Sequence, residues 1–282
     1  MAERVGAWRW RTSAALRPLV PEIWAWRTPA GPPGTHQGVS SGHLTVVLCL
    51  DGAVELLRKP DPARGAGRFT ASVAGLHAAP AVIATGAAQS GMQLALTWRG
   101  ARTLLGLPAA ELAFDVVDLG ALLPGADVLL DRLHAAPSWT ERCAMLDAAL
   151  CRIAATRTGT GAPPPEVARA WDVLVRSGGT VRVADLAADV GWSPRHLGAR
   201  LRRETGLGTK TAARVIRFER ACTLLRGPGA PSPAAVAARC GYADQQHLSR
   251  DFRDLAGTTV RAWRAERVNG ATRTTGTAPP PS

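Results

Sequence analysis

The chain has 282 residues, 46% of them hydrophobic and 20% charged, which places it among soluble globular proteins with room for two ordinary domains. Its five cysteines form an odd set with no CxxC pair, which argues against a disulfide framework or a structural zinc site and favours a reducing cytoplasm. A net charge of +12, almost all of it arginine, suits a polyanionic partner, although a chain this rich in Ala, Gly, Pro and Arg also reads as biased codon usage.

The first residues, MAERVGAWRWRT, have basic groups but no apolar run behind them, so no secretory signal is expected. Trp8, Trp10, Trp24 and Trp26 alternate with other residues, as on one face of a strand. Core packing is the commoner fate of such aromatics, and an aromatic ligand pocket is the alternative. LTVVLCLDGAVELL, residues 44–57, reads as two strands joined at Asp51–Gly52, a pair suited to a tight hairpin turn. Residues 69–98 carry no charged side chain, but His77, Pro80, Gln89, Ser90 and three glycines break the run. It therefore reads as short strands at 69–76, 81–85 and 91–98, not as a membrane span. His36, His43, His77 and Cys49 could meet around a metal inside a barrel, yet none has HxH or HxxxH spacing, and ordinary histidines are expected.

From Arg99 onward helices take over. Ser138 and Glu141 have capping-box spacing, and Cys143, Leu146, Leu150 and Ile153 recur along one apolar face of a helix over 138–157. That face is a candidate dimer surface, and packing inside its own domain fits equally well. Cys143 and Cys151 read first as core or interface, with oxidant sensing as the alternative.

GTGAPPP, residues 159–165, is the clearest linker. Beyond it the charge concentrates: residues 163–270 hold 18 basic and 10 acidic side chains, against 15 and 12 in residues 1–162. A helix over Glu166–Arg176 is bounded by prolines and by Gly178–Gly179, with Val167, Trp171 and Leu174 as its buried stripe. Helices follow at about 183–190, 193–204, 209–226, 233–239, 244–256 and 260–267, and the closing ATRTTGTAPPPS looks disordered.

Two of these segments repeat each other. GWSPRHLGARLRRETG (191–206) and GYADQQHLSRDFRDLAG (241–257) align with their small, apolar and basic positions in register. At roughly 100° per residue, Arg195, Gly198, Ala199 and Arg202 share one face while Leu197 and Leu201 lie opposite. In the second copy Gln246, Ser249, Arg250 and Arg253 share a face, and Leu248 and Phe252 point away. Each copy follows a short helix and a turn glycine, which makes two helix-turn-helix units. Ser193 and Asp244 stand at the caps, and capped N-termini suit phosphate. Either copy alone would read as an ordinary surface helix; two in register favour DNA.

The segments VADLAADVGWSPRHLGARLRRETG, ARVIRFERACTLL and AAVAARCGYADQQHLSRDFRDLAG–VRAWR resemble the DNA-binding domain of the AraC/XylS family of bacterial transcription regulators, over residues 166–267. The resemblance implies that the two units enter successive major-groove faces of one site. A connecting helix over 209–226 would be about 27 Å long, which suits groove faces about 34 Å apart. Base contacts fall to Arg195, Ala199, Gln246, Ser249 and Arg250: Arg for guanine, Gln for adenine, Ala for a thymine methyl. Ser193, His196, Arg202, Arg203, Lys210, Gln245 and Arg253 are expected to meet phosphates. The chain departs from the family pattern at Ala199, where Arg is usual, at Ala212 in place of an aromatic, and at Val260 in place of proline.

The resemblance also implies an N-terminal sensor or dimerisation domain, often a cupin-like β-barrel, and GMQLALTWRGARTLLGLPAAELA is similar to the sensor region of a subset of actinobacterial-type regulators. The expected fold is α+β. A β-rich domain with trailing helices spans 1–158 and a linker 159–165. An all-α domain with two helix-turn-helix units joined by a long helix spans 166–268, before a tail at 269–282. The expected function is sequence-specific binding of double-stranded DNA by a cytoplasmic, non-enzymatic transcription regulator without cofactor or membrane partner. A small-molecule effector, a homodimer and, for an activator, RNA polymerase are the further partners. The rival readings are a metal-dependent cupin-type enzyme and a protein-binding adaptor, each fused to the helical domain.

Overall fold

A computed structural model describes residues 6–157, 162–226 and 229–271 of the chain. Residues 159–161 of the expected linker and 272–282 of the expected tail lie outside the described residues.

The first half is built from antiparallel strands in two sheets. One has the order β1 (Gly6–Arg11), β2 (Glu22–Thr28), β9 (Gln89–Leu96), β4 (Leu44–Asp51), β7 (Ala71–Ala74) and β10 (Val116–Asp118). The other has the order β3 (Gly34–Gly38), β8 (Ala81–Thr85), β5 (Val54–Arg58) and β6 (Gly67–Phe69). The charge-free stretch thus supplies three strands of the interior, as its composition suggests.

Asp51–Gly52 does not close a hairpin ladder. β4 pairs with β7 and β9, whereas β5 pairs with β6 and β8, so the turn carries the chain from one sheet to the other. The reason lies in β4, whose register slips between Cys49 and Asp51. Asp51 then accepts a hydrogen bond from the Ser90 hydroxyl at 2.5 Å, which pins the strand end to β9. Gly52, at φ +76°, makes the corner.

Each tryptophan pair lies on one face of its own strand, as expected, but the two pairs face apart. Trp8 and Trp10 are in register with Ala25 and Ile23, while Trp24 opposes Arg9, so the two pairs lie on opposite sides of the sheet and share no pocket. Trp8 is buried against Trp139, with ring centroids 5.8 Å apart, and Trp24 remains 36% exposed.

The inner face of this sheet carries Val46, Leu48, Leu94 and Leu96. Helical residues cover it: α1 (Trp98–Gly100) with the π-turn Ala101–Leu105, α2 (Ala126–Ala135) and α3 (Trp139–Thr156). Cys143, Leu146 and Leu150 of α3 are buried there, so the stripe that could have served a dimer is spent inside its own domain. Each such side chain removed from water contributes about 1.5–3 kcal/mol. A residual hollow among these leucines holds only about 30 Å³.

The second half is helical throughout: α4 (Pro165–Arg176), α5 (Val183–Asp189), α6 (Pro194–Thr205), α7 (Thr209–Leu224), α8 (Pro233–Arg239), α9 (Gln245–Ala256) and α10 (Val260–Ala271). α7 stops two residues short of its expected end because Gly227–Pro228 follows in sequence, and α10 runs past 267 into the segment expected to be disordered. Ala212, Val215, Ile216, Phe218, Ala221 and Cys222 of α7 are buried, making it the axis on which the other helices pack.

The two halves meet along a polar seam. Arg99 donates to Asp172 at 2.9 Å, Arg102 to Glu204 at 2.6 Å, and the Gly42 N–H to Glu219 at 3.1 Å. The Ser40 hydroxyl bonds to the Leu255 carbonyl and lies 3.3 Å from His77 Nδ1. The glycines that end α6 and α9 touch the first half directly: a Cβ on Gly206 would sit 2.2 Å from that of Ala113, and one on Gly257 would sit 2.9 Å from Gln37 Oε1.

Two histidines at this seam titrate in opposite senses. Burial pushes His77 down to about 4, against the hydrogen bond to the Ala79 carbonyl, so the unfolded chain takes up its proton first as pH falls. Stability should therefore drop by about 3 kcal/mol between pH 6.5 and 4. Burial alone would lower His43 too, but the hydrogen bond to Glu219 and the charges of Glu219 and Glu22 raise it, so its contribution is present at low pH and lost as pH rises through the raised value. Denaturant titrations at stepped pH check the sign: His77→Asn should flatten the acid-side loss and His43→Asn should not.

Candidate nucleic-acid interface

The helical half contains one arrangement twice. Leu186–Ala187 on α5 and Val236–Ala237 on α8 are buried in equivalent places. Each short helix ends at a glycine with φ +71°, Gly191 or Gly241. Such a residue takes the left-handed turn at little steric cost. The next N–H returns to the helix: Trp192 to the Ala187 carbonyl at 2.9 Å, Tyr242 to that of Ala237 at 3.0 Å.

Each following helix then starts on a side-chain cap. Ser193 Oγ accepts from the His196 N–H at 3.2 Å, and Asp244 Oδ1 accepts from the His247 N–H at 2.7 Å. Those two histidines receive the preceding aromatic edge-on, Trp192 on His196 at 4.7 Å and Tyr242 on His247 at 5.1 Å between centroids. Behind them, Leu197 and Leu201 of α6 and Leu248 and Phe252 of α9 are fully buried.

On the front, Arg195, Ala199, Gln246 and Arg250 are exposed, as are Ser193, His196, Arg202, Arg203, Lys210, Gln245 and Arg253. Ser249 is half-buried, and its hydroxyl donates back to the Gln245 carbonyl at 2.9 Å. Arg202 folds toward the next turn, where a Cβ on Gly208 would come within 2.8 Å of its guanidinium. The expected residues thus gather on α6 and α9 and their caps, except Lys210, which is exposed on the first turn of α7.

Two groups escaped sequence reasoning. Arg261 and Arg264 of α10 join Gln245 and Arg253 around a hollow of about 460 Å³ beside the second unit, enlarging the cationic surface. VRAWR shows these arginines in sequence, but only the packing of Trp263 into the core, 5.7 Å from Phe252, reveals which way the helix faces. The second group is the set of ion pairs that hold α6 and α9, Arg102 with Glu204 and Arg214 with Asp251 and Asp254. Their partners lie 37 or more residues apart, and no local pattern announces them.

His43 and His77 are engaged at the domain seam and Cys49 is buried within the sheet. Among the described residues, no three His, Cys, Asp or Glu side chains gather as a metal-binding set. Nor is any helix among them long and apolar enough to cross a membrane.

Residues 186–266 match a family described as a helix-turn-helix domain. No curated protein matches the chain. Among solved structures, ToxT from Vibrio cholerae O395 is similar at 10% identity and TM-score 0.53, over 87% of this chain and 97% of that one. Unsaturated fatty acid bound wild-type ToxT from Vibrio cholerae strain SCE256 is similar at 12% identity and TM-score 0.55, over 88% and 95%. A transcriptional regulator from Chromobacterium violaceum, of the AraC-type DNA-binding domain-containing proteins, shares 25% identity over 36% of this chain and 92% of its own, with TM-score 0.34. The fold is that of ToxT, with a β-rich domain ahead of the helical one. With two capped, cationic helices on one repeated frame, residues 186–266 are an AraC-type helix-turn-helix domain, and the chain that carries them is a DNA-binding transcription regulator.

Proposed function

We propose that the chain reads two major-groove segments of one double-stranded site, the first with α6 and the second with α9. The observation that carries this reading is the repeated frame itself, with two capped N-termini and two exposed polar fronts over buried backs. Arg195 and Ala199 face bases in the first segment, and Gln246, Ser249 and Arg250 in the second. Ser193, His196, Arg202, Arg203, Lys210, Gln245 and Arg253 hold phosphates. Its activity is binding, not catalysis, and its place is the cytoplasm.

The test is binding-site selection with the full chain, followed by salt titration. Arg195→Ala and Gln246→Ala should each relax one base position at a cost of about 1–3 kcal/mol. Arg203→Ala and Arg253→Ala should leave the preferred sequence intact and each flatten the salt dependence by roughly 0.9 in the log–log slope. A uniform loss across all sequences for Arg195→Ala would remove it from the readers.

The N-terminal domain, in this reading, answers to a small apolar molecule. The likeness to ToxT, solved with an unsaturated fatty acid, supports it, as does the leucine-lined hollow. At about 30 Å³ that hollow is far below the roughly 300 Å³ of an ordinary ligand site, so an effector entering there must spread α1 and α3 from the sheet. A second copy of the chain, and RNA polymerase where the chain activates, complete the proposed partners.

A further inference from the structure

A base-reading arginine is useful only while no carboxylate neutralises it. On α9, Arg250 and Asp254 stand at i and i+4, the spacing at which opposite charges on one helix pair. Yet Arg250 is exposed and makes no ion pair among the described residues. Asp254 is turned instead to Arg214 on α7, whose Nη2 donates to it. The same guanidinium donates through Nε to Asp251 Oδ1 at 2.6 Å.

The side chain of Asp251 is only 3% exposed, so this tie is anchored in the core, while that of Asp254 is 58% exposed and could swing. Burial, with the charge of Asp251, pushes the neighbouring Tyr242 phenol upward. In the first unit the positions equivalent to Arg250 and Asp254 are Ala199 and Arg203. With no arginine at the first of these places and no acid at the second, there is no such pair to hold apart.

We propose that Arg214 is a positioning residue for DNA reading: by holding Asp251 and Asp254 together it keeps Asp254 off Arg250 and leaves Arg250 free to meet a base. The inference rests on the proposed reading role of Arg250. A planar guanidinium suits this task, since its fixed fork can serve two acceptors where an ammonium acts as a point charge.

The experiment uses the full chain and duplexes varied at each base of the selected site. Arg250→Ala first identifies the position that Arg250 reads; no relaxed position would remove the parent reading and this inference with it. The double variant R214M/D251N removes the clamp without leaving a buried charge unpaired. It should lose about tenfold or more in discrimination at that one position, and adding D254N should restore most of it. If R214M/D251N does not fold, R214K takes its place, with a smaller loss expected and the same restoration by D254N. Wild-type discrimination in a folded clamp variant, or a loss that D254N does not reverse, overturns the proposal. A merely structural role for Arg214 would lower affinity for every duplex alike and would not be repaired by deleting a surface carboxylate.

Discussion

Arg217→Pro is expected to lower affinity for the selected site by a hundredfold or more. α7 spans 16 residues, about 24 Å of helix, and joins the two units as one continuous element. Proline at its centre removes the N–H that bonds four residues back and drives its ring against that carbonyl, at a cost of about 3 kcal/mol. The substitution also deletes the Arg217 bond to the Gly179 carbonyl at 2.8 Å and the guanidinium stacked 5.5 Å from the Tyr242 ring. Two modules held in fixed relation gain about 10²–10⁴ in avidity over either alone, and a bent connector forfeits that gain. Arg217→Ala is the control, losing the side-chain contacts and keeping the helix. Gel-shift titration of both variants, with circular dichroism to show retained helix, decides it. A folded Arg217→Pro protein with wild-type affinity would refute the role given to the connector.

Gly179→Ala should be the most damaging single methyl in the helical domain. Gly178 and Gly179 end α4 with φ of +61° and +74°, and the Gly179 N–H returns to the Leu174 carbonyl at 2.8 Å. Left-handed backbone costs an ordinary residue about 1–2 kcal/mol. Here a Cβ would also stand 2.1 Å from the Ala213 carbonyl oxygen, a backbone atom of α7 that cannot rotate away. The sum should exceed about 3 kcal/mol, a fall in melting temperature of roughly 10–20 °C for a domain of this size. Gly191 has nearly the same conformation, φ +71°, but open space around its missing side chain. Gly191→Ala should therefore cost only the backbone share, about 1–2 kcal/mol. Thermal melts of the two variants side by side separate crowding from conformation, and equal losses would show that the contact with α7 is unimportant.

What could be read from sequence was what short segments decide. Ser193 and Asp244 cap because their side chains reach an N–H three residues away, and Gly191 and Gly241 turn because of their own φ, so the repeated units were legible in full. Strand pairing is not local in this way. β4 and β5 each looked like half of a hairpin, yet their partners lie elsewhere in the chain, and the slip after Cys49 that sends them into different sheets has no sequence mark. β3 and β10, short and without alternation, gave no signal. The front residues of α6 and α9 could be named from helical angle alone. Arg214 and Arg102 could not, because each acts through a carboxylate that only the tertiary fold brings near.

The glycines that end α6 and α9, Gly206 and Gly257, both abut the β-rich half. A tilt of that half against the helical one would therefore bear on both helix ends together.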